Sequence, residues 1–293
     1  MTLQQLRQVL TIAESNSMNE AAKKLFVSQP NLSATVREVF MRNNRGITVT
    51  AEGEEFLGYA KQVVEQYHLL ENRYLNVESK KKFSVSMQHY SFAVKAFVQL
   101  AKEVGMDEYE FAVHETKTKE VIDNVKNLKS EIGVLYLSDF NEKVLRKLFK
   151  ECDIEFKELF TCNTYVYLWK KHPLAGQKEI TLDDLQEYPC LTFEQGVNNS
   201  FYYAEEMMST YEYKRVIKAD DRATMLNLMV GLNGFTLCSG IISEDLNGDD
   251  YAAIPLKESE IMHIGYIKHK GTKLSKLGEI YIDALKNYEN KVL

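Results

Sequence analysis

Between Gly58 and Gly105 the chain contains neither Gly nor Pro, and the start of this stretch carries a heptad stripe. Phe56, Val63, Leu70 and Val77 recur every seven residues, and Ala60, Tyr67 and Tyr74 follow the first three at a distance of four. That spacing puts the side chains along one face of an α-helix. A helix of some twenty residues is roughly 30 Å long. The fifty-odd residues before it are too few to cover such a stripe, so it wants a partner, most simply a second copy of the chain. The plainer alternative is a helix buried in its own chain's core. Ser79-Lys80-Lys81-Lys82 follows as an exposed hinge. The chain of 293 residues therefore divides into a head (1–57), a linker and dimerisation helix with its hinge (58–82) and a C-terminal body (83–293).

The head is nearly as free of breakers, since residues 1–45 hold no Gly and one Pro. Leu3, Leu6, Val9, Leu10 and Ala13 predict an amphipathic helix that Ser15-Asn16-Ser17 ends. Asn19 then caps a short helix from Glu20 to about Phe26, with Ala21, Ala22 and Leu25 inward. After a turn at Val27-Ser28, Ser28 reads as the N-cap of a third helix, with Gln29 and Pro30 in its first turn. Leu32 and Val36 form its buried stripe; Asn31, Ser33, Ala34, Thr35 and Arg37 form its outer face.

Two short helices joined by a tight turn, the second presenting small polar residues, make a helix-turn-helix. A short helix fits the major groove, where Gln, Asn, Ser and Thr bond base edges or phosphates. Two β-like pieces then flank Asn44-Arg45-Gly46, a turn with bases near its tip, as expected of a wing. Charge agrees: residues 1–50 carry six bases and three acids, a net +3, against −9 for the remainder. A basic tip on an acidic body suits contact with a polyanion through the head alone.

Residues 1–58 resemble the DNA-binding head of the LysR-type transcriptional regulators. The match runs through Leu3-x-x-Leu6, Ala13-Glu14, Asn19-Glu20-Ala21-Ala22-Lys23-Lys24-Leu25, Val27-Ser28-Gln29-Pro30-x-Leu32-Ser33 and Arg42-x-x-Arg45-Gly46-Ile47-x-Val49-Thr50-x-Glu52-Gly53. The resemblance implies that Gln29, Pro30, Ser33, Ala34, Thr35 and Arg37 face the groove, and that Arg42 and Arg45 meet phosphates or the minor groove. Ala34 stands where many relatives have a longer polar or basic residue, so readout there falls to a contact such as a thymine methyl. One departure is visible: Val36-Arg37-Glu38 runs straight into Val39-Phe40-Met41-Arg42, where family heads carry a further stretch. A true shortening there puts wing placement in question.

The body alternates strand and helix: strand Phe83–Met87, helix Phe92–Val104, strand Tyr109–His114, helix Lys119–Leu128, strand Ile132–Leu137, helix Val144–Cys152, and onward to a final helix at Lys276–Tyr288. Such alternation implies parallel α/β layers. The resemblance implies a two-lobed, periplasmic-binding-protein-like effector domain. Lobe I is expected at about 83–160 and 268–293 and lobe II at about 161–267, with crossover strands near Cys162–Trp169 and Ile261–Lys268. Such domains hold small ligands at strand ends and helix N-termini. The expected effector residues are Gln88, His89, Tyr90 and Ser91 at the first strand-to-helix turn and Thr116 and Thr118 at the second. Asn198, Asn199 and Ser200 are expected to enter a helix of the other lobe. Each also serves as an ordinary turn or capping residue.

The fold class expected is thus an N-terminal winged helix-turn-helix, a long linker helix and a two-lobed α/β body. No HExxH, GxSxG, P-loop or GxGxxG pattern occurs, and the six histidines show no ligand spacing. No enzyme, metal or cofactor is expected, only a small polar effector of unknown identity. Asp220-Asp221 reads as helix capping. Four scattered cysteines without a CxxC pair suit a reducing compartment. With no apolar run near 18 residues, a cytoplasmic protein without membrane contact is expected. The expected partners are double-stranded promoter DNA, a second copy through the linker helix, a tetramer beyond that, and RNA polymerase. The competing reading is a two-lobed solute-binding protein with no gene-regulatory role.

Overall fold

The computed structural model describes residues 1–15, 18–25, 39–43, 46–74, 80–105, 108–197 and 200–288. They form two compact units, Met1–Lys80 and Lys81–Leu293.

In the first unit, α1 (Leu3–Ala13) opens on a capping box: Gln5 N–H donates to Thr2 Oγ1 at 3.2 Å and Thr2 N–H donates to Gln5 Oε1 at 2.8 Å. Val9 and Ile12 of α1 bury against Ala21 of α2 (Met18–Leu25) and against Val39 and Phe40. Phe40 begins β1 (Phe40–Asn43), which pairs antiparallel with β2 (Gly46–Val49), Phe40 opposite Val49. This hairpin is the expected wing. The expected third helix, from Ser28 to Glu38, lies outside the described residues.

The linker helix starts earlier than expected. It is α3 (Ala51–Tyr74), a single helix that takes in residues 51–57 of the anticipated head. Thr50 ends the wing and starts the helix: its N–H donates to the Val39 carbonyl at 3.0 Å, and its Oγ1 accepts from Gly53 N–H at 2.9 Å. A Cβ at residue 53 would run into the Val39 carbonyl oxygen, so only Gly lets α3 begin so close to the chain entering β1. Gly53, a breaker by composition, sits inside the helix for that reason. Ala60 and Val64 pack on Leu6 of α1, whereas Tyr59, Val63 and Leu70 stay exposed.

In the second unit, lobe I is a five-stranded sheet in the order β4-β3-β5-β12-β6. Its members are β3 (Lys81–Met87), β4 (Tyr109–Glu115), β5 (Ile132–Leu137), β6 (Ile154–Cys162) and β12 (Met262–His269). β3 pairs parallel with β4 and β5, while β12 runs antiparallel between β5 and β6. Helix α4 (Ser91–Val104) and the last helix, α9 (Lys276–Lys286), cover one face through Phe92, Phe97, Leu100 and Tyr281. On the other face lie α5 (Thr118–Lys126) and α6 (Glu142–Glu151), packed through Val121, Ile122, Val125, Leu145 and Phe149.

Lobe II holds β7 (Tyr165–Trp169), β8 (Cys190–Phe193), β9 (Val216–Ala219), β10 (Thr236–Cys238) and β11 (Tyr251–Pro255), with α7 (Arg222–Leu232) on one face and the short α8 (Glu244–Asn247). β7 lies between β10 and β11, antiparallel to both, and β8 pairs parallel with β9. Leu191 N–H donates to the Phe235 carbonyl at 2.7 Å and joins the two groups of strands.

Three sequence expectations are corrected. The sheets are mixed and not wholly parallel, because one strand must leave lobe I as another returns, and neighbours so used run in opposite directions. The expected crossover strand at 261–268 lies wholly within the lobe I sheet as β12, so the changes of lobe fall between Cys162 and Tyr165 and between Pro255 and Met262. The helix that Asn198, Asn199 and Ser200 were expected to enter is only a single 3₁₀ turn, Phe201–Tyr203. Its backbone is committed elsewhere: the carbonyls of Tyr203, Ala204 and Glu206 accept side-chain hydrogen bonds from Thr118 and Tyr136 of lobe I.

Candidate effector cleft

The two lobes meet where β3 turns into α4. Gln88, the first residue past β3, is buried and serves as a structural tie. Its Nε2 donates to Thr118 Oγ1 at 2.6 Å, and its Oε1 accepts from Tyr90 O–H at 2.9 Å and Tyr136 N–H at 3.2 Å. Thr118 is occupied in the same way: Oγ1 donates to the Tyr203 carbonyl at 2.7 Å, and N–H donates to Gln195 Oε1 at 3.1 Å. Thr116 donates to Glu120. These three expected effector residues hold the frame and do not line the cavity beside it.

That cavity has a volume of about 80 Å³. His89, Tyr90 and Ser91 line it from lobe I, together with Tyr167, Phe193, Arg222, Thr236 and Ser239 of lobe II and the carboxyl groups of Glu205 and Glu206. Glu205 crosses between the lobes. Its Oε2 accepts from His89 N–H at 2.8 Å and lies 2.8 Å from His89 Nδ1, and its Oε1 accepts from Gln195 Nε2 at 2.9 Å. The His89 ring stacks on Phe193, with centroids 3.7 Å apart and planes 6° from parallel. Further charged pairs cross beside it: Arg222–Glu115 at 2.8 Å, Lys117–Asp220 at 3.1 Å and Lys95–Asp245. Asp221 caps α7, accepting from Thr224 N–H at 2.9 Å.

Burial, with the neighbouring Glu205 charge adding to it, pushes the Glu206 carboxyl up to about 8. One of its oxygens accepts from Phe193 N–H at 2.9 Å. The Thr236 hydroxyl is buried beside the cavity without a hydrogen-bond partner among the described residues.

Ser200 stands elsewhere. It lines a second cavity, of about 470 Å³, between β8 and the irregular segment after Ser200, which Gln195, Phe201, Met208 and Tyr213 share. Asn198 and Asn199 lie outside the described residues, as do Gln29, Pro30, Asn31, Ser33, Ala34, Thr35, Arg37 and Arg45. Arg42 stands in β1 opposite Ile47. Sequence reasoning missed Gln195, Glu205, Glu206 and Arg222. The one signal for the acids was a charged pair set between Ala204 and Met207 in an otherwise apolar stretch. Among the described residues no group of His, Cys, Asp and Glu is placed to hold a metal ion, and no helix is long and apolar enough to cross a membrane.

Comparison with known proteins places both units. Residues 3–54 match the family described as "Bacterial regulatory helix-turn-helix protein, lysR family", and residues 93–289 match "LysR substrate binding domain". The HTH-type transcriptional regulator CysL of Bacillus subtilis is 24% identical, over 98% of this chain and 98% of its own. A full-length OxyR variant from Pseudomonas aeruginosa superposes with a TM-score of 0.70 at 18% identity, covering 98% of this chain and 95% of that one. CbnR, a LysR family transcriptional regulator, gives 0.57 at 16% identity, over 98% and 99%. With a DNA-binding head, a linker helix and an effector-binding domain all present, the chain belongs to the LysR family of transcriptional regulators.

Proposed function

We propose that the chain acts as a dimer in the cytoplasm, reading an interrupted palindrome in promoter DNA under the control of a small polar metabolite held between its lobes. The observation that carries this is α3, which grows without a break from the wing and leaves Tyr59, Val63 and Leu70 exposed along the flank of its contact with α1. An apolar row of this kind on a long helix is suited to a second copy. Two heads held on paired stems add their binding free energies, giving an affinity that a single head of net +3 would not supply. Gln29, Pro30, Asn31, Ser33, Ala34, Thr35 and Arg37 read the groove, and Arg42 and Arg45 hold the backbone. His89, Tyr90 and Ser91 border the effector, and Gln88, Thr116 and Thr118 frame its site; Asn198, Asn199 and Ser200 are proposed as further effector contacts, although Ser200 lines the separate, second cavity in this structure. A bound effector favours one arrangement of the lobes, and through a tetramer alters the spacing of the heads and contact with RNA polymerase.

Gel-shift titration of the full-length protein against the promoter fragments next to its own coding sequence tests this at several salt concentrations. Affinity falls steeply with salt, and Arg45→Ala reduces the slope of log K on log salt by about one. Binding indifferent to sequence and salt would remove the proposal. A solute-binding role without gene regulation has no use for a head of this family.

A further inference from the structure

The described polar groups of the cleft are unevenly engaged. At the β3–α4 turn the backbone N–H of His89 points at a carboxylate, and that carboxylate belongs to the protein. Glu205 receives the His89 N–H from lobe I and the Gln195 amide from lobe II, with His89 Nδ1 as a third neighbour. It is 6% exposed. Gln195 in turn uses its carbonyl oxygen to accept Thr118 N–H, at the start of α5. A strand-to-helix turn and a helix start, two places suited to an anion, are thus both engaged by side chains of lobe II. We infer that Glu205 is the residue that sets effector specificity: it fills the position a ligand's carboxylate would take, so the cleft rejects carboxylates and accepts a small uncharged hydrogen-bonding solute in the chamber beside it.

This rests on the reading of the cleft as the effector site. Other groups that line that chamber describe it further. Thr236, 6% exposed, lines it, and its buried hydroxyl has no hydrogen-bond partner among the described residues, one that a bound hydroxyl or amide would supply once the side chain turns toward the chamber. At about 80 Å³ it admits only a few non-hydrogen atoms. Glu206, held largely protonated at neutral pH by burial, lines the same wall and offers a hydroxyl donor in place of a charge. Arg222 also lines it, but its guanidinium is committed to Glu115 through both Nε and Nη2.

The test uses the full-length protein, with acetate and acetamide as probes against chloride at equal ionic strength. In the unaltered protein, acetamide raises the melting temperature saturably and acetate does not. Glu205→Ala melts lower, and acetate restores it with an apparent Kd at least tenfold tighter than in the unaltered protein. Glu205→Gln keeps the position filled and shows no such rescue. Saturable acetate binding to the unaltered protein overturns the inference with no variant needed, as does a folded Glu205→Ala protein that ignores acetate. Acetamide that fails to bind the unaltered protein overturns the chamber's assignment. If the acetate rescue occurs but neither probe changes DNA affinity, the Glu205 assignment stands and the effector reading of the cleft fails.

Discussion

Glu205 Oε2 lies 2.8 Å from both the backbone nitrogen and the ring Nδ1 of His89, although 116 residues separate the two. The His89 ring is pinned in turn on Phe193. Truncating His89 to Ala removes the Nδ1 contact and the stack while leaving the N–H bond. A buried carboxylate deprived of a partner costs about 1–3 kcal/mol, which for a domain of this size lowers the melting temperature by roughly 2–4 °C per kcal/mol. Differential scanning calorimetry of His89→Ala checks it, and an unchanged melting temperature would mean the pair contributes nothing to closure.

Glu206 imposes a pH dependence of known sign. Its carboxyl is pushed from the ordinary 4.5 up to about 8 in the folded protein. Between those values the folded state binds more protons than the unfolded one, so this group's contribution is full below the lower value and is lost as pH rises through the upper. Buried Glu131 is shifted in the same direction. Urea-unfolding midpoints of the unaltered protein minus those of Glu206→Gln isolate the one residue. The variant gains relative stability steadily from mildly acidic pH to about 8.

The exposed row on α3 predicts association. Val63 and Leu70 are 51% and 57% exposed within one chain. Burying a large aliphatic side chain contributes about 1.5–3 kcal/mol, and each 1.4 kcal/mol is about tenfold in affinity. Val63→Glu with Leu70→Glu therefore weakens dimerisation at least a hundredfold by analytical ultracentrifugation, leaving the melting of the C-terminal unit unchanged. A variant that sediments as the unaltered protein does would locate the dimer contact elsewhere.

Four thiols make a contrasting case. Burial pushes Cys162 and Cys238 up to about 12 and raises Cys152 and Cys190 as well. A thiol at that level is ionised in about one molecule in 10⁵ at neutral pH, and only the thiolate is a nucleophile. Native protein is therefore expected to react with Ellman's reagent at least a hundredfold more slowly than free cysteine, and fully once unfolded. A fast native phase would reopen thiol oxidation as a signal.

Gly53→Ala forces a Cβ against the Val39 carbonyl. Overpacking of this kind costs about 1–3 kcal/mol. The expected result is earlier melting of the head alone and weaker DNA binding, with the C-terminal transition unmoved.

The parts legible in the sequence were those governed by local periodicity. Leu3 to Ala13 is the first helix to the residue, and the two β-like pieces expected of the wing are paired strands, Phe40–Asn43 and Gly46–Val49. What escaped depends on partners far along the chain. The linker helix was expected from Gly58, and its true start at Ala51 was hidden because nothing local says that Val39 would lie against Gly53. A helix was expected after Ser200, yet the carbonyls of Tyr203, Ala204 and Glu206 are taken by Thr118 and Tyr136. Gln88 and Thr118 were expected to face a ligand and face each other instead. Glu205, which bonds His89 of the first lobe, had no motif to mark it.

Thr50 closes the hairpin and opens the long helix within one residue, and Gly53 rests on the chain entering that hairpin. No slack is left at this joint. A twist applied to the stem must turn the wing through the same angle, so the stem works as a crankshaft and not a tether. A shift of few degrees between paired stems would then reach the DNA undiminished.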